Sequence, residues 1–283
     1  MSTRIGTRVR SIGQSAPATT YFVLALALSW SVWVPSLLAG VEAGVVVGAF
    51  GPAVAAAIVT RLRGDSVRAW LRSVLDPRTD LRWYLVALGL PAVWAVAIVG
   101  GLSLWTGSAD WSVLVGLPPQ IPSALVATTL LYGGNEEFGW RGFALPVLQE
   151  RTDAATASVV VGVVWTVWHI PMFLLGVDSY GSVVVLPAYA VVVVGVSVVF
   201  TWLYNESGPS ILPVMLCHGM FNVVMDPAAA AGTTSTALRY LSQTVPIWVT
   251  ALVALAVYGR TRVAGSLVDT RSWRDAVDGG EHA

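Results

Sequence analysis

The sequence contains no lysine; all sixteen of its basic residues are arginine. Sixteen acidic residues balance them to a formal net charge of zero, so no basic face suited to nucleic acid stands out. Cysteine is nearly absent. The single Cys217 excludes an intrachain disulfide framework and a cysteine-rich zinc site. Charge of either sign is scarce, at 11% of 283 residues, whereas 55% are hydrophobic and 13 are Trp. A mean hydropathy of +0.71 indicates a polytopic membrane protein rather than a soluble globule. Arginine without lysine, amid abundant Ala, Val and Gly, suggests a GC-rich prokaryotic genome and hence a prokaryotic plasma membrane. Two familiar catalytic signatures are also missing. There is no helical H-E-x-x-H zinc motif, and no Ser or Cys nucleophile with a matched base is apparent.

What is present is a series of apolar runs: 20–39, 44–60, 83–105, 121 onward, 154–175, 182–203, 210–225 and 245–258. The fold class predicted is all-α, with about eight transmembrane helices in one domain over 20–259. A cytoplasmic tail over 1–19 and a polar, frayed tail over 260–283 flank it. Trp30 and Trp33 lie in the first run, which is longer than a signal-peptide core and reads as a retained helix. Gly44 and Gly48 give the second run a face for close helix packing. The stretch 61–82 holds six Arg and three Asp, and within it Val67, Trp70, Leu71 and Val74 recur at helical spacing. That pattern predicts an amphipathic helix at the interface. With both termini cytoplasmic, fifteen of the sixteen Arg fall on the cytoplasmic side, and only Arg239 does not. The positive-inside rule favours that orientation.

Ionisable groups at membrane depth are costly and usually functional. The stretch NEEFGWRGF at 135–143 carries Glu136, Glu137 and Arg141. On a helix Glu137 and Arg141 form an i, i+4 pair in the favoured acid-first order. Glu136 points about 100° away and is left free for chemistry. Gly139 and Gly142 would let another helix come close. Two of the three histidines, His169 and His218, lie in apolar runs; His282 is in the tail. His218 and Asn222 share a helix face at i, i+4. Trp165, His169 and Phe173 share another, and Pro171 frees backbone carbonyls near the imidazole. Cys217 lies about 100° from His218 and reads as packing. A carboxylate, two imidazoles and an amide are the parts of a water-activating hydrolase with an oxyanion site. The groups converge only if the fourth run continues as a helix through Leu148, kinked near Gly133–Gly134 and Pro146. A proton-coupled transporter and a catalytically inactive scaffold are the alternatives. No internal repeat of the transporter kind is visible.

These three motifs, EExxxR at Glu136–Arg141, a His on the next helix and HxxxN at His218–Asn222, resemble the CPBP family of intramembrane proteases. That family includes type II CAAX prenyl endopeptidases and bacteriocin-processing or self-immunity proteins. The resemblance spans about 116–225. Trp165 departs from it, since the family's second motif is usually FxxxH. The resemblance implies an intramembrane endopeptidase acting near the cytoplasmic face on a peptide or protein substrate, lipidated or not. It implies Glu136 as the general base, assisted by His169, with His218 and Asn222 holding the oxyanion and Glu137 and Arg141 in support. The family is also described as metalloproteases. Cofactors are therefore either none or a zinc ion held by Glu136, His169 and His218, which are legitimate zinc ligands.

Overall fold

A computed structural model of the protein describes residues 15–116, 119–177, 180–259 and 270–273. The tails expected at 1–19 and 260–283 lie mostly outside these residues, as does His282. The described chain is an all-helical bundle. Helices α1 (Pro17–Leu38), α2 (Ala43–Arg63), α4 (Leu81–Thr106), α7 (Ala154–Leu174), α8 (Val183–Ser207) and α10 (Thr236–Tyr258) are long and apolar enough to cross a membrane. Helix α9 (Leu212–Ala230) has 19 residues, about 28 Å at 1.5 Å per residue. It carries His218, Asn222 and Asp226, which lower its apolarity. Short helix α3 spans Val67–Val74 and α5 spans Ile121–Leu131. The segment 134–149, here α6, is a composite of 3-10, α and π turns.

The fourth run does not continue as one helix. Helix α5 ends at Leu131, and Gly133 adopts φ +139, a conformation that favours glycine. The chain then re-enters helical structure with a 3-10 turn and widens into a π-helix over Trp140–Ala144. Pro146 lies in the first turn of Leu145–Gln149, where its missing N–H costs nothing, and breaks nothing there.

The helices alternate in direction, so their connections collect at two ends. At one end Ser66 N–H donates to the Trp273 carbonyl (3.0 Å) and Ile211 N–H to the Val74 carbonyl (2.8 Å). Arg63 there pairs with Asp65 (2.9 Å) and reaches Glu150 (3.5 Å). At the other end Asp110 N–H donates to the Ala231 carbonyl (2.9 Å) and the Tyr240 hydroxyl to the Tyr180 carbonyl (3.1 Å). We call these the arginine end and the distal end. Arg141 belongs to neither: it is fully buried, so it is no loop charge for the positive-inside argument.

The small faces of α2 pack as expected. A Cβ at Gly44 would meet Ser36, and one at Gly48 would meet Trp33. Helix α3 starts at Ser66, whose side chain accepts from Ala69 N–H. Its apolar face is divided, with Leu71 exposed. Trp70 and Val74 are buried, and the Trp70 indole donates to the Gly142 carbonyl (2.8 Å). Trp273, within the stretch read as a frayed tail, is fully buried. It stacks on Phe143 (6.0 Å, 21°), donates to Ser73 Oγ (3.1 Å) and lies under the Arg63 guanidinium (5.8 Å). The arginine end is thus closed by the turn Thr270–Trp273.

Removing that indole leaves a cavity beneath α6. Trp273→Ala is expected to cost about 3–5 kcal/mol, the usual range for a buried Trp truncation. Trp273→Phe, which keeps the stack, should cost less. Thermal unfolding in detergent reads both; a Trp273→Ala protein that melts like wild type would show that the turn is not docked.

Candidate active site

The break at Gly133 and the composite α6 place two adjacent carboxylates in different surroundings. Glu136, in the 3-10 turn, is 6% exposed. Its Oε2 accepts from two indole N–H groups, Trp165 Nε1 at 2.8 Å and Trp140 Nε1 at 3.3 Å. Among the described residues its Oε1 accepts no hydrogen bond. Glu137 is fully buried. Both its oxygens accept from Arg141 Nη1 (3.2 and 3.1 Å), and Oε1 also faces His218 Nδ1 at 2.7 Å. The i, i+4 pairing read from the sequence is therefore present, and it extends to a histidine on α9.

Arg141 is held through both terminal nitrogens, whereas its Nε has no hydrogen-bond partner among the described residues. Its Nη2 donates to Ser197 Oγ (3.0 Å) on α8, and Ser197 in turn donates to the Ser158 carbonyl (2.8 Å) on α7. The guanidinium lies 5.2 Å from the ring centroids of both Trp165 and Phe200, in the range of a cation–π contact. A charge with these partners tolerates burial; one whose carboxylate is removed does not.

The two imidazoles present the same nitrogen to the site. His169 sits at the interruption between Ala154–Trp168 and Ile170–Leu174. Pro171 lacks an N–H, and the Trp168 carbonyl accepts instead from the Trp30 indole (2.9 Å). His169 Nδ1 lies 3.0 Å from the Trp165 carbonyl. A carbonyl only accepts, so Nδ1 carries the proton and Nε2 a lone pair. His218 Nδ1 donates to Glu137 in the same way, leaving Nε2 open. A Cβ built on Gly133 would lie 2.8 Å from His218 Nε2 and 2.4 Å from Asn222 Nδ2. The backbone at Gly133 thus runs directly over both groups, and only glycine fits. Asn222 donates one amide hydrogen to the Tyr132 carbonyl, so its second N–H remains available.

Glu136, His169, His218, Asn222 and Trp165 all line one cavity of about 390 Å³. Trp165 stands between the imidazoles, 6.2 Å from His169 and 5.1 Å from His218 by ring centroids. Phe173 does not line the cavity; it packs on Tyr180 and Tyr189. Cys217 is buried packing. The close approach expected at Gly139 is present, since a Cβ there would strike Tyr21 and Pro52, whereas Gly142 has only ordinary contacts apart from the Glu137 carbonyl at 3.3 Å. The alternative zinc set, Glu136, His169 and His218, does not converge. Among the described residues no three His, Cys, Asp or Glu side chains gather as a metal site, and Glu136 Oε2 already holds two indole donors.

Sequence reasoning missed Gly133 as part of the site, and Trp140 and Trp165 as partners of Glu136. The positive φ at Gly133 has no sequence signal beyond the Gly133–Gly134 pair. Trp140 stands at i+4 from Glu136, which could have suggested its bond. The cavity lining comes from Trp33 near the end of α1, Val45 at the start of α2, His169 and Met172 late in α7, Tyr189 early in α8 and Tyr240 early in α10. All lie in the half of the bundle away from the arginine end. The chain resumes helical structure after Gly133 and continues to Gln149, so the carboxylates stand at mid-bundle beside this cavity.

Arg141→Ala leaves Glu137 buried beside His218 without its guanidinium, which typically costs about 3–5 kcal/mol. Folded yield and melting temperature should fall further for Arg141→Ala than for Glu136→Ala. Equal, wild-type-like values for both would show that the pair is not part of the folded core.

Part of the chain is similar to known proteins. Residues 118–224 match the family described as type II CAAX prenyl endopeptidase Rce1-like. A curated relative, CAAX prenyl protease 2 of Methanococcus maripaludis, is 26% identical over 151 residues, covering 49% of this chain and 54% of the relative. The chain thus aligns with about half the length of that protein. Residues 118–224, the stretch that carries Glu136, Glu137, Arg141, His169, His218 and Asn222, are thus similar to the Rce1-like type II CAAX prenyl endopeptidases.

Proposed function

We propose that this protein is an intramembrane endopeptidase of a prokaryotic plasma membrane, hydrolysing a peptide bond with water activated by Glu136. The observation that carries the reading is the asymmetric holding of Glu136. One oxygen accepts two indole N–H groups, and the other has no assigned hydrogen bond, on the wall of a cavity shared with both histidines. In this mechanism Glu136 Oε1 takes a proton from water as the oxygen attacks the scissile carbonyl. His169 Nε2 accepts a hydrogen bond from that water, then takes the proton over from Glu136 and passes it to the leaving amine, so that Glu136 is again a carboxylate. Asn222 donates its free N–H to the developing oxyanion. His218, when doubly protonated, donates from Nε2 as well, with Glu137 carrying the balancing charge. The dry, aromatic wall strengthens each of these interactions. The substrate is a peptide or protein segment, lipidated or simply apolar. The name of the Methanococcus relative points to a prenylated CAAX chain as one candidate.

The side of entry follows from charge. Leaving out the buried Arg141, fourteen of fifteen arginines belong to the sequence segments 1–19, 61–82, 150–153 and 260–283, which on alternation of the spans share one side, and Arg239 is the exception. The positive-inside rule makes that side cytoplasmic, with both termini, and turns the cavity toward the opposite face. Reporter fusions after Ala283 and within 107–116 should report opposite sides. The same side for both would overturn this orientation.

Glu136→Gln keeps the shape and removes the proton acceptor. It is expected to abolish cleavage in a protein that remains folded and membrane-inserted. His169→Ala and His218→Ala should each lose most activity, with losses that do not add to that of Glu136→Gln, as for groups acting as a unit. Asn222→Ala should lose about 10²–10³-fold, the size typical of one oxyanion donor. Trp165→Phe restores the more usual aromatic but deletes an N–H to Glu136, so its pH profile for kcat should move while substrate KM changes little. Proteolysis retained by a verified Glu136→Gln protein would remove Glu136 from the mechanism. Proton flux in liposomes, with no cleavage of any peptide, would instead favour a transporter.

A further inference from the structure

The cavity extends past the reacting groups to the distal end, where a second polar cluster lines it. His218, Asn222 and Asp226 follow one another at i, i+4 and i+8 on α9 and all face the cavity. Asp226 is exposed to it, and no hydrogen bond or ion pair to Asp226 is found among the described residues. Arg239 attracts it through space, but the Arg239 Nε is turned to the Thr233 carbonyl (3.4 Å). Around Asp226 stand three tyrosines from three different segments. Tyr189 lies 5.9 Å from Tyr180 and 5.4 Å from Tyr240 by ring centroids, and all three rings are within electrostatic reach of the Asp226 carboxylate. The Tyr240 hydroxyl is committed to the Tyr180 carbonyl, which fixes two of the rings relative to each other. Tyr180 and Tyr189 each also pack 5.4 Å from His169, so the cluster adjoins the reacting groups.

Aromatic faces gathered beside a carboxylate are the chemistry that recognises an ammonium or guanidinium group. A carboxylate on a half-closed apolar wall is stabilised by a cation and opposes an anion. We propose that Asp226, Tyr180, Tyr189 and Tyr240 form a subsite for a basic side chain, lysine or arginine, of the substrate; this rests on the peptidase reading above. Asp226 stands two turns beyond His218, about 12 Å along the helix. An extended peptide covers about 3.3 Å per residue. The basic residue therefore sits three or four positions from the bond that is cut.

The test separates this subsite from the peptidase reading. Wild-type, Asp226→Asn and Asp226→Lys proteins in detergent are given a peptide library made by glutamate-specific digestion of a bacterial proteome, and new termini are read by mass spectrometry. Lys and Arg should be enriched several-fold three or four residues from the cut in wild type. The enrichment should vanish in Asp226→Asn and turn to Asp and Glu in Asp226→Lys. In parallel, quenching of intrinsic Trp fluorescence measures binding of two capped apolar heptapeptides, one with a single Lys and one with a single Glu, to the Glu136→Gln protein. The Lys peptide should bind about tenfold more tightly, near 1.4 kcal/mol, and adding Asp226→Asn should remove the difference. Cleavage without charge preference overturns the subsite alone. Charge-selective binding with no cleavage by wild type keeps the subsite and overturns the peptidase. Neither cleavage nor selective binding overturns both.

Discussion

The carboxylate of Glu137 is shared between Arg141 on its own helix and His218 on another. The rest of the site depends on that sharing. A buried carboxylate with no cation would take up a proton or unfold its surroundings, and a buried guanidinium alone would fare no better. Together they make a nearly neutral unit that can stand in an apolar bundle. The unit also has direction. Arg141 reaches Ser197 on α8, Ser197 reaches α7, and Glu137 reaches α9. One ion pair thus ties α6 to the three helices that wall the cavity, and among the described residues no salt bridge is made by the neighbouring carboxylate, Glu136. The division of labour between the two adjacent glutamates arises from partners, not from the residues themselves.

Trp165 is the second organising element. Its indole N–H binds Glu136, its carbonyl fixes the tautomer of His169, its ring lies over Arg141, and its edge touches His218. A phenylalanine at this position would keep the ring contacts and lose the bond to Glu136. The departure from the usual motif therefore adds a direct polar contact to the proposed base, and Trp140 adds another. Two neutral donors on one oxygen hold the carboxylate's rotamer while leaving its other oxygen for water. An arginine in the same place would have held it too tightly in charge to act as a base.

Gly133 sets where all of this lies in the bundle. Helix α5 covers eleven residues, about 16 Å at 1.5 Å per residue, roughly half of a 30 Å hydrocarbon core. The chain breaks there, passes over His218 and Asn222, and begins α6 at mid-bundle. Irregular backbone at this depth is tolerated because it lines a cavity and is not presented to lipid. The cavity then runs from the break toward the distal end, past the tyrosines to Asp226.

The sequence by itself determined the all-helical membrane class, through composition and apolar runs, and the polar residues that occupy the site. It determined the Glu137–Arg141 pair as well, because i, i+4 contact is a property of one helix and needs no neighbour. The same local rule put His218 and Asn222 on one face. Contacts between segments were decided only by the tertiary structure. Glu137 meeting His218, Trp165 meeting Glu136, and Trp273 docking under Phe143 join residues 29 to 130 positions apart, and no periodicity records such distances. The kink at Gly133–Gly134 was legible, but its geometry was not. Two adjacent glycines suggest a kink, but a positive φ is chosen by what crosses above it, here an imidazole and an amide. The cavity's position in the distal half, and the tyrosine cluster beside Asp226, follow from that break. Local spacing fixes which residues share a face; only the packing of helices against one another fixes what that face meets.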